Sequence, residues 1–336
     1  MIITAPCIDL LWKVIDVKHA ATRIMLRRCA TEKSASPDGV PSVSGICVTP
    51  ALSLLSVAVT HLTLALVAFL FHVYPLPFQL LLSATVLLIS LVLQRSCRKL
   101  AGVRASALCS VFFHIFLSWA VYVTSIRHEI PWYIDAAING ELCMLVTGVY
   151  CVASIDPGFV EVKSMIMNAN GDVDVGSDDS HCTKIASRTR YCRSCKAYVK
   201  GFDHHCPAFG NCIGEKNYAL FFVVLIGFLC TEATYVLCSF KFLERFAIQP
   251  SFTEVLVIST TQFNILQILW QGVFLVWHVH CVCFNIRTDE WINWKNYQEF
   301  HHNDETQTGG YWIKNFRNPY DKGVLGNVSE FFRTRR

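Results

Sequence analysis

The chain has 336 residues, 53% of them hydrophobic and only 16% charged, with a mean hydropathy of +0.40, which is too apolar for a pair of soluble domains of that length. Its formal charge of +4 is too small to point to nucleic acid. Sixteen cysteines do not indicate a secreted disulfide framework, because such frameworks belong to short chains and Cys97, Cys109, Cys143, Cys151, Cys230, Cys238 and Cys281 lie in or beside apolar runs.

Met1 to Pro50 is mixed in character and contains Lys13, Lys18, Arg23, Arg27 and Arg28, a pattern that argues against a cleaved signal peptide. Within it, Leu10 to Arg28 reads either as a basic amphipathic helix lying on an anionic leaflet or as a disordered tail. Crossing a bilayer takes about twenty apolar residues, and the runs that qualify follow in order. Ala51 to Tyr74 has no charge, and Pro75-Leu76-Pro77 turns the chain into a second run, Phe78 to Leu93. Ala105 to Ile126 is a third, and Ile134 to Ile155, which carries Asp135 and Glu141, is the weakest. Ala219 to Phe240, with Glu232 inside it, and Val255 to Phe284 complete six candidate spans.

Lys and Arg counts test this assignment, because cytoplasmic loops carry the excess. The amino-terminal tail has 6, the Gln94 to Arg104 loop 4, the Asp156 to Tyr218 loop 8 and the tail after Phe284 8, leaving only Arg127, Lys241 and Arg245 in the alternate loops. Omitting the fourth span would destroy that asymmetry. The expected layout is therefore a cytosolic tail over 1–50, four spans over 51–155, a cytosolic loop over 156–218, two spans over 219–284 and a cytosolic tail over 285–336. Within the loop, Met165 to Ser180 is rich in Asp, Gly, Ser and Asn and reads as a linker.

The loop also holds Cys192-Arg193-Ser194-Cys195, then Asp203-His204-His205-Cys206-Pro207, then Cys212. A cysteine pair two residues apart is a thiolate clip for tetrahedral zinc, and a His with a Cys ten to seventeen residues on can close the site. In a reducing compartment, metal binding is favoured over disulfides. At least one Cys is surplus to four ligands. Spacing alone leaves Cys206 either as a further ligand or as a nucleophile whose thiolate is favoured by the adjacent imidazole. A membrane ubiquitin ligase would need eight ligands in order, and a transporter would need internal symmetry that this sequence lacks.

From Tyr191 to Phe221 the sequence resembles the cysteine-rich domain of the Asp-His-His-Cys (DHHC) protein S-acyltransferases, the membrane palmitoyltransferases. Asp156-Pro157-Gly158 and the tail from Asn318-Pro319-Tyr320-Asp321-Lys322-Gly323 through Asn327 resemble two further motifs of that family. The resemblance implies an all-α polytopic membrane protein of about six helices, with a small zinc-binding cysteine-rich cytosolic domain between the fourth and fifth. It also implies that Cys206 takes a fatty acyl group from acyl-CoA (palmitoyl-CoA), with His204 as base and Asp203 orienting it. Cys192, Cys195, His205 and Cys212 would hold one zinc. The acyl group would then pass to cytosolic cysteines of membrane-associated substrate proteins, at an endomembrane such as Golgi or endoplasmic reticulum. The alternative is an inactive zinc-stabilised membrane scaffold.

The sequence departs from the family pattern at several positions. The family's first zinc site would need ligands where this chain has Asp178, His181, Tyr191 and Tyr198, so one zinc is expected, with Tyr191 and Tyr198 packing in place of the other. Ala208 stands where the family usually has Trp, and Arg287-Thr288-Asp289-Glu290 resembles its Thr-Thr-x-Glu element with the first Thr replaced. Arg188, Arg190, Arg193, Lys196 and Lys200 would serve either CoA phosphates or positive-inside topology. Asn264, Gln267, Gln271 and His278 fall along one face of the sixth span and read as interhelical hydrogen-bonding residues, and Glu232 reads as paired with a neighbouring helix. Asn327-Val328-Ser329 fits a glycosylation sequon, but in a cytosolic tail it reads better as part of a docked motif.

Overall fold

The computed structural model describes residues 44–103, 105–160, 188–244, 250–302 and 315–333, with side chains from Pro50 onward except at His302 and Asn315. Leu10–Arg28, the Met165–Ser180 linker, Asp178 and His181 lie outside the described residues. Among the described residues, six helices are long and apolar enough to cross a membrane. These are α1 (Ser44–Leu70), α2 (Leu76–Leu100), α3 (Ala107–Val121, continued by a π turn over Tyr122–Ile126), α4 (Trp132–Ser154), α5 (Tyr218–Leu243) and α6 (Phe252–Cys283). Their outward faces expose Leu62, Leu81, Leu88, Leu237 and Val276, a distribution that only a lipid solvent accommodates. The chain is an integral multi-pass membrane protein.

The helix ends differ from the hydropathy windows, and the cause is local chemistry. α1 stops at Leu70, because Phe71–Tyr74 turn towards Pro75, the residue that precedes α2. α2 runs seven residues past Leu93, as far as Leu100, because Gln94, Arg95, Arg98 and Lys99 are good helix formers, so the drop in hydropathy leaves the helix intact. At 32 residues α6 is about 48 Å long at 1.5 Å per residue. It therefore exceeds the roughly 30 Å hydrocarbon core and reaches the cysteine-rich segment, where Phe274 and His278 stand beside His204.

The acids that weakened the fourth span are accommodated by partners. Asp135 lies in the first turn of α4 and accepts from Tyr122 Oη at 3.1 Å, Asn139 Nδ2 at 3.0 Å and Arg127 Nε at 3.1 Å. Glu141 accepts from Thr234 of α5. Glu232 accepts from Gln271 Nε2 at 2.8 Å, Asn264 Nδ2 donates to Ser118 Oγ, and His278 Nδ1 meets Tyr218 Oη at 3.2 Å, so these polar residues of α5 and α6 join helices as expected. Gln262 was not singled out by the sequence. It accepts from Ser83 Oγ and donates to Gln79 Oε1, which fastens α2 to α6 at membrane depth. His61 and His114, uninformative in isolation, meet at 3.0 Å between α1 and α3.

Among the described residues between α4 and α5, five short strands make two small sheets: β1 (Phe159–Val160), β3 (Ala197–Lys200) and β2 (Thr189–Cys192) in that order, and the hairpin β4 (His204–Cys206) with β5 (Asn211–Ile213). Each helix that leads into this segment ends in carbonyls without intrahelical partners, and side-chain amides satisfy them. Asn211 Nδ2 donates to Val152 O and Ile155 O at the end of α4, both at 2.9 Å. At the end of α6, Asn318 donates to Phe284 O at 2.6 Å and Asn327 to Cys283 O at 2.8 Å. Asn327 is 1% exposed and also donates to Asp321, so its sequon is spent on docking the tail. Beyond the short helix α7 (Thr288–Asn293), the docked helix α8 (Val324–Arg333) sets Phe331 against Tyr218 and Phe222 of α5.

Candidate active site at the membrane border

In β4 successive side chains point to opposite faces. His205 therefore faces one way, and His204 and Cys206 face the other. The pairing His205↔Cys212 in the β4–β5 hairpin puts those two side chains on the same face. There they meet the knuckle between β2 and β3, whose tight return places Lys196 at φ 52° and directs the amide of Cys195 to Cys192 Sγ at 3.3 Å. The donor atoms of Cys192, Cys195, His205 and Cys212 all lie within 4.8 Å of one another, a group able to hold a metal ion. His205 Nδ1 is 3.8, 3.4 and 3.7 Å from the sulfurs of Cys192, Cys195 and Cys212. Hydrogen bonding from Cys212, whose Sγ lies 3.3 Å away, holds the Cys195 thiol down at about 4, so one thiolate is favoured within the set.

Tyr191 and Tyr198 are cross-strand partners in β2–β3, their rings edge to face with centroids 5.1 Å apart. The two rings therefore pack on each other, as the sequence suggested.

On the opposite face Asp203 Oδ2 accepts from His204 Nδ1 at 2.7 Å. Asp203 is fully buried; its N–H donates to Ile213 O at 2.8 Å, and two further contacts come from the chain just past α6, at the start of α7. Thr288 N–H donates to Asp203 Oδ1 and Asp289 N–H to Asp203 O, both at 3.0 Å. Burial works to raise the Asp203 carboxyl, but the hydrogen bond and charge of His204 outweigh it and hold it below its ordinary value. Burial likewise works to lower His204, and its hydrogen bonds with Asp203 and Cys206 reverse that, pushing it up to about 9.

Cys206 is 9% exposed and belongs to an apolar cluster with Leu145, Val149 and Val152 of α4 and Tyr218, Phe221 and Val224 of α5, to which Leu108, Phe112 and Ile115 of α3 and Phe274 of α6 are added. Ala208, in place of the bulkier Trp, packs on the same cluster. Gly214 needs its missing side chain, because a Cβ there would stand 2.4 Å from Pro157 O. Asp156, whose Oδ1 accepts from Gly158 N–H and Phe159 N–H at 2.8 Å and whose Oδ2 accepts from Lys216 Nζ at 2.6 Å, joins the end of α4 to this same corner.

Three of the basic residues weighed for phosphate contacts are already engaged. Arg188 makes two hydrogen bonds to Glu290, at 2.6 and 2.7 Å, and lies over the Tyr320 ring; Arg190 pairs with Glu299 at 2.6 Å and lies over Tyr297; and Lys200 pairs with Glu215. The Glu290 carboxylate also accepts from Arg287 N–H. The Arg188–Glu290 pair therefore binds β2 to the start of α7 and indirectly fixes Thr288 on Asp203. Removing one partner of a buried pair costs about 3–5 kcal/mol. Arg188→Met is expected to lower the thermal midpoint of the purified protein accordingly; an unchanged midpoint would show that the pair holds nothing in place.

A four-donor metal group on one face of a hairpin, with an Asp–His pair and a separate cysteine against membrane helices on the other, defines a thiol site at the border of a bilayer. Comparison with known proteins agrees: residues 179–295, about a third of the chain, match the DHHC palmitoyltransferase family model. That stretch is what the chain shares with the family. It is similar to probable protein S-acyltransferase 15 of Arabidopsis thaliana (28% identity over 127 residues, 34% of this chain and 50% of the relative). It is also similar to palmitoyltransferase AKR1 of Mortierella alpina (29% over 156 residues, 44% and 27%) and to palmitoyltransferase ZDHHC3 of Homo sapiens (28% over 207 residues, 54% and 67%). The matched regions thus span from about a quarter to two thirds of these relatives' lengths.

The sequence did not reveal that Thr288 and Asp289 clamp Asp203, or that Phe221, Phe274 and His278 line the imidazole. The signal for the clamp was present in the resemblance of Arg287–Glu290 to a family element, but its partner lies 85 residues away.

Proposed function

We propose that this chain is a protein-cysteine S-acyltransferase that moves a fatty acyl group from acyl-CoA, through a thioester on Cys206, to cysteines of membrane-associated proteins. The observation that carries this reading is the separation of Cys206 from the four-donor group: it shares a strand face with His204, which Asp203 holds at 2.7 Å, and packs among membrane helices. Asp203 fixes Nδ1 of His204 and leaves Nε2 for the thiol proton. The Cys206 sulfur attacks the acyl-CoA carbonyl, the carbon–sulfur bond to CoA breaks, and the departing sulfur takes the proton held by His204. In the second step His204 accepts the proton of a substrate thiol, that sulfur attacks the Cys206 thioester, and the Cys206 thiol is restored. The scheme is ping-pong.

The apolar cluster around Cys206 suits the acyl chain, since each buried methylene is worth about 0.8 kcal/mol. Zinc fits Cys192, Cys195, His205 and Cys212. Tetrahedral zinc with bonds of about 2.3 Å to sulfur and 2.0–2.1 Å to nitrogen sets ligand atoms about 3.5–3.8 Å apart, close to the separations given above. When bound it would supply a rigid joint between the two sheets. The metal-bearing face and both termini would lie in the cytosol, as the Lys and Arg distribution suggests, in an endomembrane.

Purified full-length protein incubated with palmitoyl-CoA is expected to release CoA and gain one acyl group, labile to hydroxylamine, on the peptide that contains Cys206. Acyl recovered on other cysteines, or no CoA release, would overturn the assignment.

A further inference from the structure

We propose that the first helical hairpin carries a binding site for the headgroup of an anionic phospholipid, in a cavity that the acyl-transfer chemistry does not use. The cavity measures about 670 Å³ and is bounded by one end of each of α1, α2 and α3. Its rim carries Arg95, Arg98 and Lys99, and its wall carries the hydroxyls of Ser56 and Ser110. Arg98 Nη1 donates to Ser56 Oγ at 2.8 Å, which fixes that guanidinium against the cavity lining. Gln94 also lines the cavity, and its buried Oε1 has no hydrogen-bond partner among the described residues.

Three cations within about one turn of helix call for phosphate. An unpartnered buried acceptor calls for a donor on the same ligand, such as a sugar hydroxyl. Val57, Leu91 and Val103 supply an apolar side for the glycerol backbone. An inositol phospholipid meets all three requirements, whereas free phosphate meets only the first.

Two placements set this site apart from Cys206 and put it at a lipid border. On α3, Leu108, Phe112 and Ile115 pack on the Cys206 cluster, whereas Ser110 and His114, which line the cavity, fall on the opposite face at helical spacing. The second follows from six alternating spans: the start of α1, the end of α2 and the start of α3 open on the membrane face where α4 ends and α5 begins, so the cavity and the cysteine-rich segment share one leaflet. Basic pockets between membrane helices bind anionic headgroups in this way.

The test uses full-length protein in nanodiscs of phosphatidylcholine doped with phosphatidylinositol, with lipid bound after exchange into detergent read by native mass spectrometry. Phosphatidylinositol is expected to stay bound in preference to phosphatidylcholine and to resist millimolar inorganic phosphate. Arg95→Gln combined with Lys99→Gln, which leaves the Arg98–Ser56 bond intact, should weaken retention roughly 30-fold, from about 1 kcal/mol per cation. Ser110→Trp fills the cavity while keeping every charge and should abolish retention. Equal retention after Arg95→Gln with Lys99→Gln would show that these cations do not hold the lipid, equal retention in Ser110→Trp would show attraction to a charged surface alone, and displacement by inorganic phosphate would show a simple anion site; each result overturns the proposal.

Discussion

Asp203→Asn is expected to slow acylation of Cys206 by about 10⁴-fold while leaving the fold intact. An asparagine at this position still accepts from the Thr288 amide through its oxygen, so the bond that ties α7 to β4 survives. Its amide nitrogen, however, faces His204 Nδ1, where the carboxylate now accepts at 2.7 Å. The imidazole then turns to the other tautomer, with Nδ1 as acceptor and Nε2 carrying the proton, and it can no longer take a proton from Cys206. Removal of positive charge from the imidazole adds to the loss, because the raised value of about 9 at His204 depends on its hydrogen bonds with Asp203 and Cys206. Single-turnover release of CoA measures the effect. A rate within tenfold of wild type would mean that the pair does not prepare the nucleophile.

The second large effect concerns the metal. Elemental analysis of the purified protein is expected to give about one zinc per chain, and removing it with a strong chelator should unfold the β1–β5 segment, because a structural zinc site supplies folding free energy of about 10–16 kcal/mol in small zinc domains. Here the four donors connect the β2–β3 knuckle to the β4–β5 hairpin, two sheets that share no strand. Cys195→Ser should have the same consequence as the chelator, since its sulfur lies within 3.3 Å of Cys212 Sγ and 3.4 Å of His205 Nδ1. Two zincs per chain would contradict the reading in which the rings of Tyr191 and Tyr198 stand in place of ligands, an aromatic contact worth only about 0.5–1.5 kcal/mol beyond burial.

The membrane helices were legible in the sequence because hydropathy and Lys/Arg placement are independent signals that agree. The fourth span survived its two acids for a reason the sequence only hinted at: Arg127, Tyr122 and Asn139 are close in sequence to Asp135, whereas Thr234, the partner of Glu141, comes from another helix. Helix ends were less legible. Hydropathy in α2 drops after Leu93, whereas the end of that helix is set by helix propensity, which carries the chain on from Gln94 through Arg98 to Leu100.

The site was half legible. Spacing supplied the donors, and the alternation of a strand through His204, His205 and Cys206 accounts for the two faces once β4 is known to be extended. What spacing could not supply is long-range: Thr288 on Asp203, Glu290 on Arg188, and Asn211 and Asn327 on the last carbonyls of α4 and α6. Those contacts join segments far apart along the chain and explain why the two tail elements and the Asp156-Pro157-Gly158 turn converge on one corner.

The most direct test of the account is Cys206→Ser, read for zinc and for acylation in the same preparation. The account predicts a protein with its full zinc content and an unchanged thermal midpoint that no longer forms a hydroxylamine-labile adduct with palmitoyl-CoA. Loss of zinc on this substitution, or an adduct formed at the wild-type level, would contradict it.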